Sequence, residues 1–310
     1  MEILLQQLIN GLTVGSVYAL VALGYTMVYG IIGLINFAHG DVVMVGAMVA
    51  TTMVVTFVGA DPAGVSAWVA VLGALLLSMP VCMALGWTAE RFAYRPLRRA
   101  PRLAALITAI GISIIIQNVA MMVWGRNYLS FPHIIEPVVF HIGDARISLL
   151  QIIIIVAAAG IMGALLLVVH RTRLGTAMRA TAQNREVAGL MGVNINTVIS
   201  AAFVIGSLLA AIAGVMVAAY YGVAQYTMGF ILGLKAFTAA VLGGIGNLAG
   251  AMLGGLLLGV IESLGAGYIG DLTNGFFGSN YQDVFSFIVL ILVLVFRPSG
   301  LLGERVGDRA

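Results

Sequence analysis

Residues 171–196 read RTRLGTAMRATAQNREVAGLMGVNIN. The stretch is polar and carries four arginines, Arg171, Arg173, Arg179 and Arg185. On either side lie almost uncharged apolar runs, residues 148–169 and 197–219. A helix that crosses bilayer hydrocarbon needs about 20 apolar residues, and each run is long enough. The stretch is therefore a loop between two membrane spans, and its positive charge keeps it on the cytoplasmic side. A sizeable, helix-competent cytoplasmic loop invites a cytoplasmic partner.

The rest of the chain has the same character. Of its 310 residues 61% are hydrophobic and 9% charged, whereas soluble domains carry about 25% charged residues. No soluble fold hides that much apolar surface. Backbone groups in lipid must be paired internally, and long apolar runs favour helices over a barrel. The prediction is an all-α integral membrane protein forming one transmembrane domain over residues 1–310. Its 39 glycines point to close helix packing and to broken or re-entrant helices. Cys82 is the single cysteine, which excludes an internal disulfide and a cysteine-based metal cluster. The net charge of +3 is loop arginine, so it reports orientation in the membrane lipid and not nucleic-acid binding. The first positive charge is Arg91 and the N-terminus carries Glu2, so no secretory signal is expected.

Working outward, residues 90–102 (ERFAYRPLRRAPR) set five arginines against one glutamate, and the tail carries Arg297, Arg305 and Arg309. Both segments should be cytoplasmic, like 171–196. This holds if the N-terminus is outside and there are nine membrane segments, or eight if one glycine-rich piece is re-entrant. Asp61-Pro62-Ala63-Gly64 reads as a turn, and residues 125–147 and 265–282 read as external loops. Residues 234–242 make only half a span before the break Gly243-Gly244-Ile245-Gly246-Asn247. A second polar break, Asn36 to Asp41, follows the first long apolar run. The two breaks echo one another, each opening a segment with Met and glycines (Met44 and Gly46, Met252 and Gly254). Broken helices at corresponding positions often mark a transport pathway. That makes Asn36, His39, Gly40, Asp41, Gly243, Gly244, Gly246 and Asn247 candidate pathway residues.

Catalytic chemistry finds little support. A P-loop needs Gly-x4-Gly-Lys-Ser/Thr. The single lysine, Lys235, is followed by Ala236, so any ATPase would be a separate chain. Intramembrane protease signatures are absent: no Gly-x-Gly-Asp, no Gly-x-Ser-Gly and no His-Glu-x-x-His. His39, Asp41, Lys235 and Glu262 are the ionisable residues in or near spans, where charge is costly. Asp41 reads first as the N-cap of a helix starting at Val42, with a pathway role as the alternative. Lys235 reads first as an interfacial, snorkelling cation, and Glu262 as a pore or packing residue. So sparse a set argues against a proton- or sodium-coupled carrier.

These residues have a family resemblance over essentially the whole length. The carriers are GLINFAHGD at 33–41, Arg91 with YRPLR at 94–98, residues 108–117, Arg173-Leu174-Gly175 through Arg179-Ala180, Ala188 with Gly192, KAFTAAVLGGIG at 235–246, and RPSGLLG at 297–303. In them the chain resembles the "H" permease subunit of bacterial branched-chain amino acid ABC importers. Such permeases carry Glu-Ala-Ala-x3-Gly on a cytoplasmic coupling helix. Glu186-Val187-Ala188 with Gly192 matches that spacing with valine for the first alanine, and the downstream Ile-x-Leu-Pro is missing. Residues 177–191 contain no proline and one internal glycine, so the stretch can be a helix, with an apolar stripe of Leu174, Met178, Ala182, Val187 and Leu190. Arg179, Gln183, Glu186, Ala188 and Gly192 become the expected ATPase-coupling residues, Arg185 adding a polar anchor.

The resemblance implies a multi-pass inner-membrane permease without enzymatic chemistry of its own. It implies a homologous second permease, two ATPase subunits that hold ATP–Mg, and a periplasmic binding protein delivering substrate. No cofactor or metal is expected in this chain. Substrate stays open among leucine, isoleucine and valine, or urea, amides and aromatic acids. The alternative is a secondary carrier or facilitator working without an ATPase.

Overall fold

Backbone N–H and C=O groups at membrane depth must find partners within protein, and the chain meets that demand with helices. The computed structural model describes residues 2–58, 67–132, 138–143, 145–273, 281–297 and 299–303. The expected turn at 61–64 and the arginines Arg305 and Arg309 lie outside these residues.

The helices are α1 (Glu2–Ile32), α2 (His39–Val58), α3 (Ala67–Thr88), α4 (Arg102–Trp124), α5 (Leu149–Arg171), α6 (Arg173–Gln183), α7 (Arg185–Leu190), α8 (Ile195–Tyr221), α9 (Met228–Gly243), α10 (Leu248–Leu272) and α11 (Gln282–Phe296). Among the described residues seven are long and apolar enough to cross a membrane: α1 to α5, α8 and α10. α9 and α11 are apolar but shorter than the other seven, and a glycine-rich break separates α9 from α10. The loop at 171–196 folds as the two short helices α6 and α7. Residues 265–272, expected in an external loop, continue α10 to Leu272 despite Gly265, Gly267 and Gly270; no proline interrupts them. The loop 125–147 contributes β1 (Leu129–Ser130), β2 (Val139–Ile142) and most of β3 (Ala145–Ser148). β2 and β3 form an antiparallel hairpin, while β1 pairs antiparallel with β4 (Val223–Ala224).

The chain groups into two compact units. The first comprises Met1–Thr26, Pro137–Met162 and Lys235–Ala310. Here α1 meets α10 along a seam of small residues. A Cβ at Gly11 would lie 2.6 Å from the Val260 Cα, one at Gly15 2.9 Å from the Leu256 Cα, and one at Gly259 inside the Gly15 backbone. Lipid supplies no hydrophobic drive between helices, so van der Waals contact at close approach holds them. Glycine at i and i+4 on both helices is what permits it.

The second unit comprises Met27–Glu136 and Gly163–Leu234. Its core is α2 packed on α3 and α8. The same device recurs: a Cβ at Gly46 of α2 would stand 2.9 Å from the Ala211 Cα, and one at Gly214 of α8 2.7 Å from the Ala47 nitrogen. Val43, Met44, Ala47, Met48, Ala210, Ala211 and Ala213 are fully buried between these helices. α4 presents Leu103, Ile107, Ile115, Met122 and Val123 outward, as a lipid-facing helix does.

Candidate functional site

The coupling segment departs from the single expected helix. Asn184 leaves helical geometry (φ −155°, ψ 110°), ends α6 and caps α7, its side chain accepting the Val187 N–H. Asparagine competes with the backbone for hydrogen bonds and so favours caps over helix interiors. The stripe is divided as a result. Met178 is buried with Gly175 and Thr181 on α6, whereas Val187 and Leu190 on α7 and Met191 just after it stand exposed, Leu190 at 87%. Arg179, Gln183 and Glu186 are exposed and Ala188 is buried. The segment thus has a seated face and an outward tip.

Gly192 has a local task. It follows α7 at φ +86°, its N–H reaching the Gly189 carbonyl while the Val193 N–H reaches Ala188. That is the Schellman closure, which needs a left-handed residue after the helix and favours glycine. The Glu-Val-Ala-x3-Gly spacing is therefore one short helix plus its stop.

Arg185 turns inward. Its Nε and Nη2 both donate to the Ile31 carbonyl, at 3.1 and 2.8 Å. Burial, and next the charge of Arg98, lower its pKa, though a guanidinium remains charged at physiological pH. Beside it, Glu90 is buried in the π-helical turn Ala89–Tyr94 that ends the third span. Glu90 pairs with Arg98 and accepts the Ser200 hydroxyl at 2.6 Å, while Arg98 also donates to Asn196.

The break at 33–38 is exposed at Gly33 and buried at Asn36 and Ala38. Asn36 is buried and accepts the Tyr94 hydroxyl at 2.7 Å. His39 and Asp41 are buried in the first turn of α2. The N-cap reading of Asp41 is corrected, because α2 begins two residues earlier, at His39. The Asp41 Oδ1 accepts from Gln117 of α4 at 3.0 Å. Gly40 lies against the backbone of Gly229 and Gly233 on α9.

The break at 243–247 is closed by the segment 301–303. Asn247 caps α10 by accepting the Gly250 N–H and donates to the Leu302 carbonyl. The carbonyls of Leu242 and Gly243, freed at the end of α9, accept from Leu301 and Leu302. Gly244 (φ +105°) abuts Gly303, while Gly246 (φ +101°) is open. Asn36 and Asn247, the two ends of the sequence echo, therefore do different work. Of the pathway candidates, residues 36–41 belong to the second unit and 243–247 to the first.

Sequence reasoning missed a third arrangement. Lys235 is buried, not snorkelling. Its Nζ lies 2.5 Å from Glu262 and 2.6 Å from Asp283, and donates to the Tyr18 hydroxyl at 3.2 Å. Ser286 donates to the other Glu262 oxygen. Four helices of the first unit, α1, α9, α10 and α11, meet in this network. A buried cation requires paired carboxylates, and they come from distant positions. Only the rarity of charge in spans could have signalled it.

The family described as "Branched-chain amino acid transport system / permease component" matches residues 7–294. The chain belongs to this family. It is 48% identical over 307 residues to the high-affinity branched-chain amino acid transport system permease protein BraD of Pseudomonas aeruginosa, covering 97% of this chain and 96% of that one. It is 44% identical over 306 residues to the permease protein LivH of Escherichia coli, with the same coverage. A solved structure titled PsaBC from Streptococcus pneumoniae in complex with Fab covers 94% of this chain and 91% of its own at 13% identity and TM-score 0.47. As a member of the branched-chain amino acid permease family, the chain is a multi-pass membrane transport subunit.

Proposed function

We propose that this chain is the permease through which branched-chain amino acids, or closely related small hydrophobic amino acids, enter the cell in an ATP-driven importer. It works as one permease domain over residues 1–310, in the inner membrane, with the N-terminus outside and the C-terminus cytoplasmic. It pairs with a homologous permease, two ATPase subunits that hold ATP–Mg, and a periplasmic binding protein that delivers substrate. The chain itself makes and breaks no covalent bond and holds no cofactor.

The observation that carries this reading is the split coupling segment, with one face seated and the α7 tip of Val187, Leu190 and Met191 exposed. An apolar tip on a short helix suits insertion into a groove of a cytoplasmic partner. Arg179, Gln183 and Glu186, exposed in the same segment, offer polar anchors. The breaks at 36–41 and 243–247 are the proposed pathway elements.

The deciding experiment is leucine uptake into proteoliposomes holding this permease, its partner permease and the two ATPases. Uptake is expected only with binding protein outside and ATP inside. ATP-independent uptake by the permease alone would replace the importer with a carrier.

Orientation is tested separately. In a Cys82→Ala background, Arg179→Cys is expected to resist membrane-impermeant thiol reagents in intact cells, while Tyr128→Cys, in the loop expected outside, is labelled. The reverse pattern would invert the topology.

A further inference from the structure

We infer that Arg185 is the positioning residue through which movement of α7 reaches the junction of α1 and α2. The inference rests on the importer reading and extends it, because Arg185 turns inward to the Ile31 carbonyl and not outward with the exposed α7 tip.

The geometry is specific. Arg185 is the first residue of α7, and two of its nitrogens donate to one acceptor, the Ile31 carbonyl. Ile31 lies in the last turn of α1, where carbonyls have no partner within the helix. The negative end of the helix dipole favours a cation there. Arg185 thus caps α1 from another helix. Gly33 (φ +64°) turns the chain just beyond. Asn36 is held by Tyr94 at 2.7 Å, and α2 begins at His39. The grip therefore falls on the hinge between two spans.

The chain that follows α7 is also fastened, at the start of α8. Asn196, in the first turn of α8, accepts from Arg98, and Ser200 donates to Glu90. Glu90 and Tyr94 share the π-helical turn that ends the third span. A displacement of α7 is met on one side by α1 and on the other by α3 and α8. The exposed residues Val187, Leu190 and Met191 make no such connection, so docking and transmission fall to different residues.

The division is testable in the full transporter reconstituted with both ATPases, partner permease and binding protein. Three quantities are read: co-purification of the ATPase, binding-protein-stimulated hydrolysis, and leucine imported per ATP hydrolysed. Leu190→Asp is expected to lose co-purification. Arg185→Gln is expected to keep it, and to lower import per ATP about tenfold, as fits the loss of a charged hydrogen-bond donor. Arg185→Lys, which retains charge and one donor, is expected to fall between Gln and wild type.

An unchanged import ratio in Arg185→Gln overturns the inference, as does a loss of co-purification matching that of Leu190→Asp. If Arg185→Gln does not accumulate, Arg185→Lys decides: a lowered ratio with normal docking supports the link, and an unchanged ratio overturns it. Normal docking by Leu190→Asp is a separate failure, that of the coupling-helix reading itself.

Discussion

Lys235→Met is expected to remove most of the folded protein from the membrane, and Lys235→Met combined with Glu262→Met to restore much of it. Lys235 and Glu262 have side chains only 7% and 6% exposed, 2.5 Å apart. Deleting the ammonium leaves the Glu262 carboxylate buried with the Ser286 hydroxyl as its remaining hydrogen-bond partner among the described residues. Breaking a buried ion pair by removing one partner costs about 3–5 kcal/mol. Proteins are stable by only about 5–15 kcal/mol in total, so the single change consumes much of the margin. Replacing both charges with apolar side chains of similar length removes the stranded charge and is often neutral. Asp283 is 40% exposed and tolerates the loss better than Glu262. The Tyr18 and Ser286 hydroxyls each lose a partner, so recovery should fall short of wild type by about 1 kcal/mol per bond. Membrane accumulation and the thermal midpoint in detergent measure both variants. A single variant as stable as wild type, or a double variant no better than the single, would show that the network braces nothing.

The membrane architecture was largely legible because bilayer thickness fixes span length and lipid tolerates no unpaired backbone. The apolar runs 148–169 and 197–219 that flank the arginine loop fall on α5 and α8. The loop at 171–196 stood out by its arginines and is polar and helical as read. What failed was chemistry that depends on distant partners. Lys235 has its carboxylate 27 residues away, and hydropathy cannot report a pairing across helices. The split at Asn184 was legible in principle. Asn184, Asn194 and Asn247 each accept the N–H three residues on and begin a helix, which is the ordinary start signal. Weighing the stretch for proline and glycine alone overlooked it. Asn36 shows the limit of that signal: its side-chain oxygen serves Tyr94 instead, and only the fold brings Tyr94 there. Likewise, His39, Gly40 and Asp41 were read as one pathway group. The structure places them together in one buried turn, with Gly40 facing backbone and Asp41 facing Gln117.

Gly40→Val is expected to cut leucine uptake at least about tenfold per folded permease, while Gly160→Val leaves it near wild type. Both glycines lie on membrane helices, so helix propensity alone would rank them alike. Their surroundings differ. A Cβ at Gly40 would run into the Gly229 carbonyl and stand 2.7 Å from the Gly233 Cα, and one at Gly229 would stand 2.8 Å from the Asp41 Cα. Every one of these atoms is backbone, which cannot rotate away as a side chain does. Accommodating valine requires the start of α9 to separate from α2, and overpacking of this kind costs about 1–3 kcal/mol. The shift also loads the adjacent bond between Asp41 and Gln117, at 3.0 Å. At Gly160 nothing lies within 4 Å of the added carbon, so a valine there points into open space on α5. Uptake in vesicles, normalised to the permease that elutes as a single species in detergent, separates a transport defect from a folding defect. Wild-type uptake by Gly40→Val would mean that α9 and α2 part without consequence. Equal damage from Gly160→Val would mean that the exposed face of α5 is occupied in the assembled transporter, and that contact across it, not the α2–α9 approach, limits uptake.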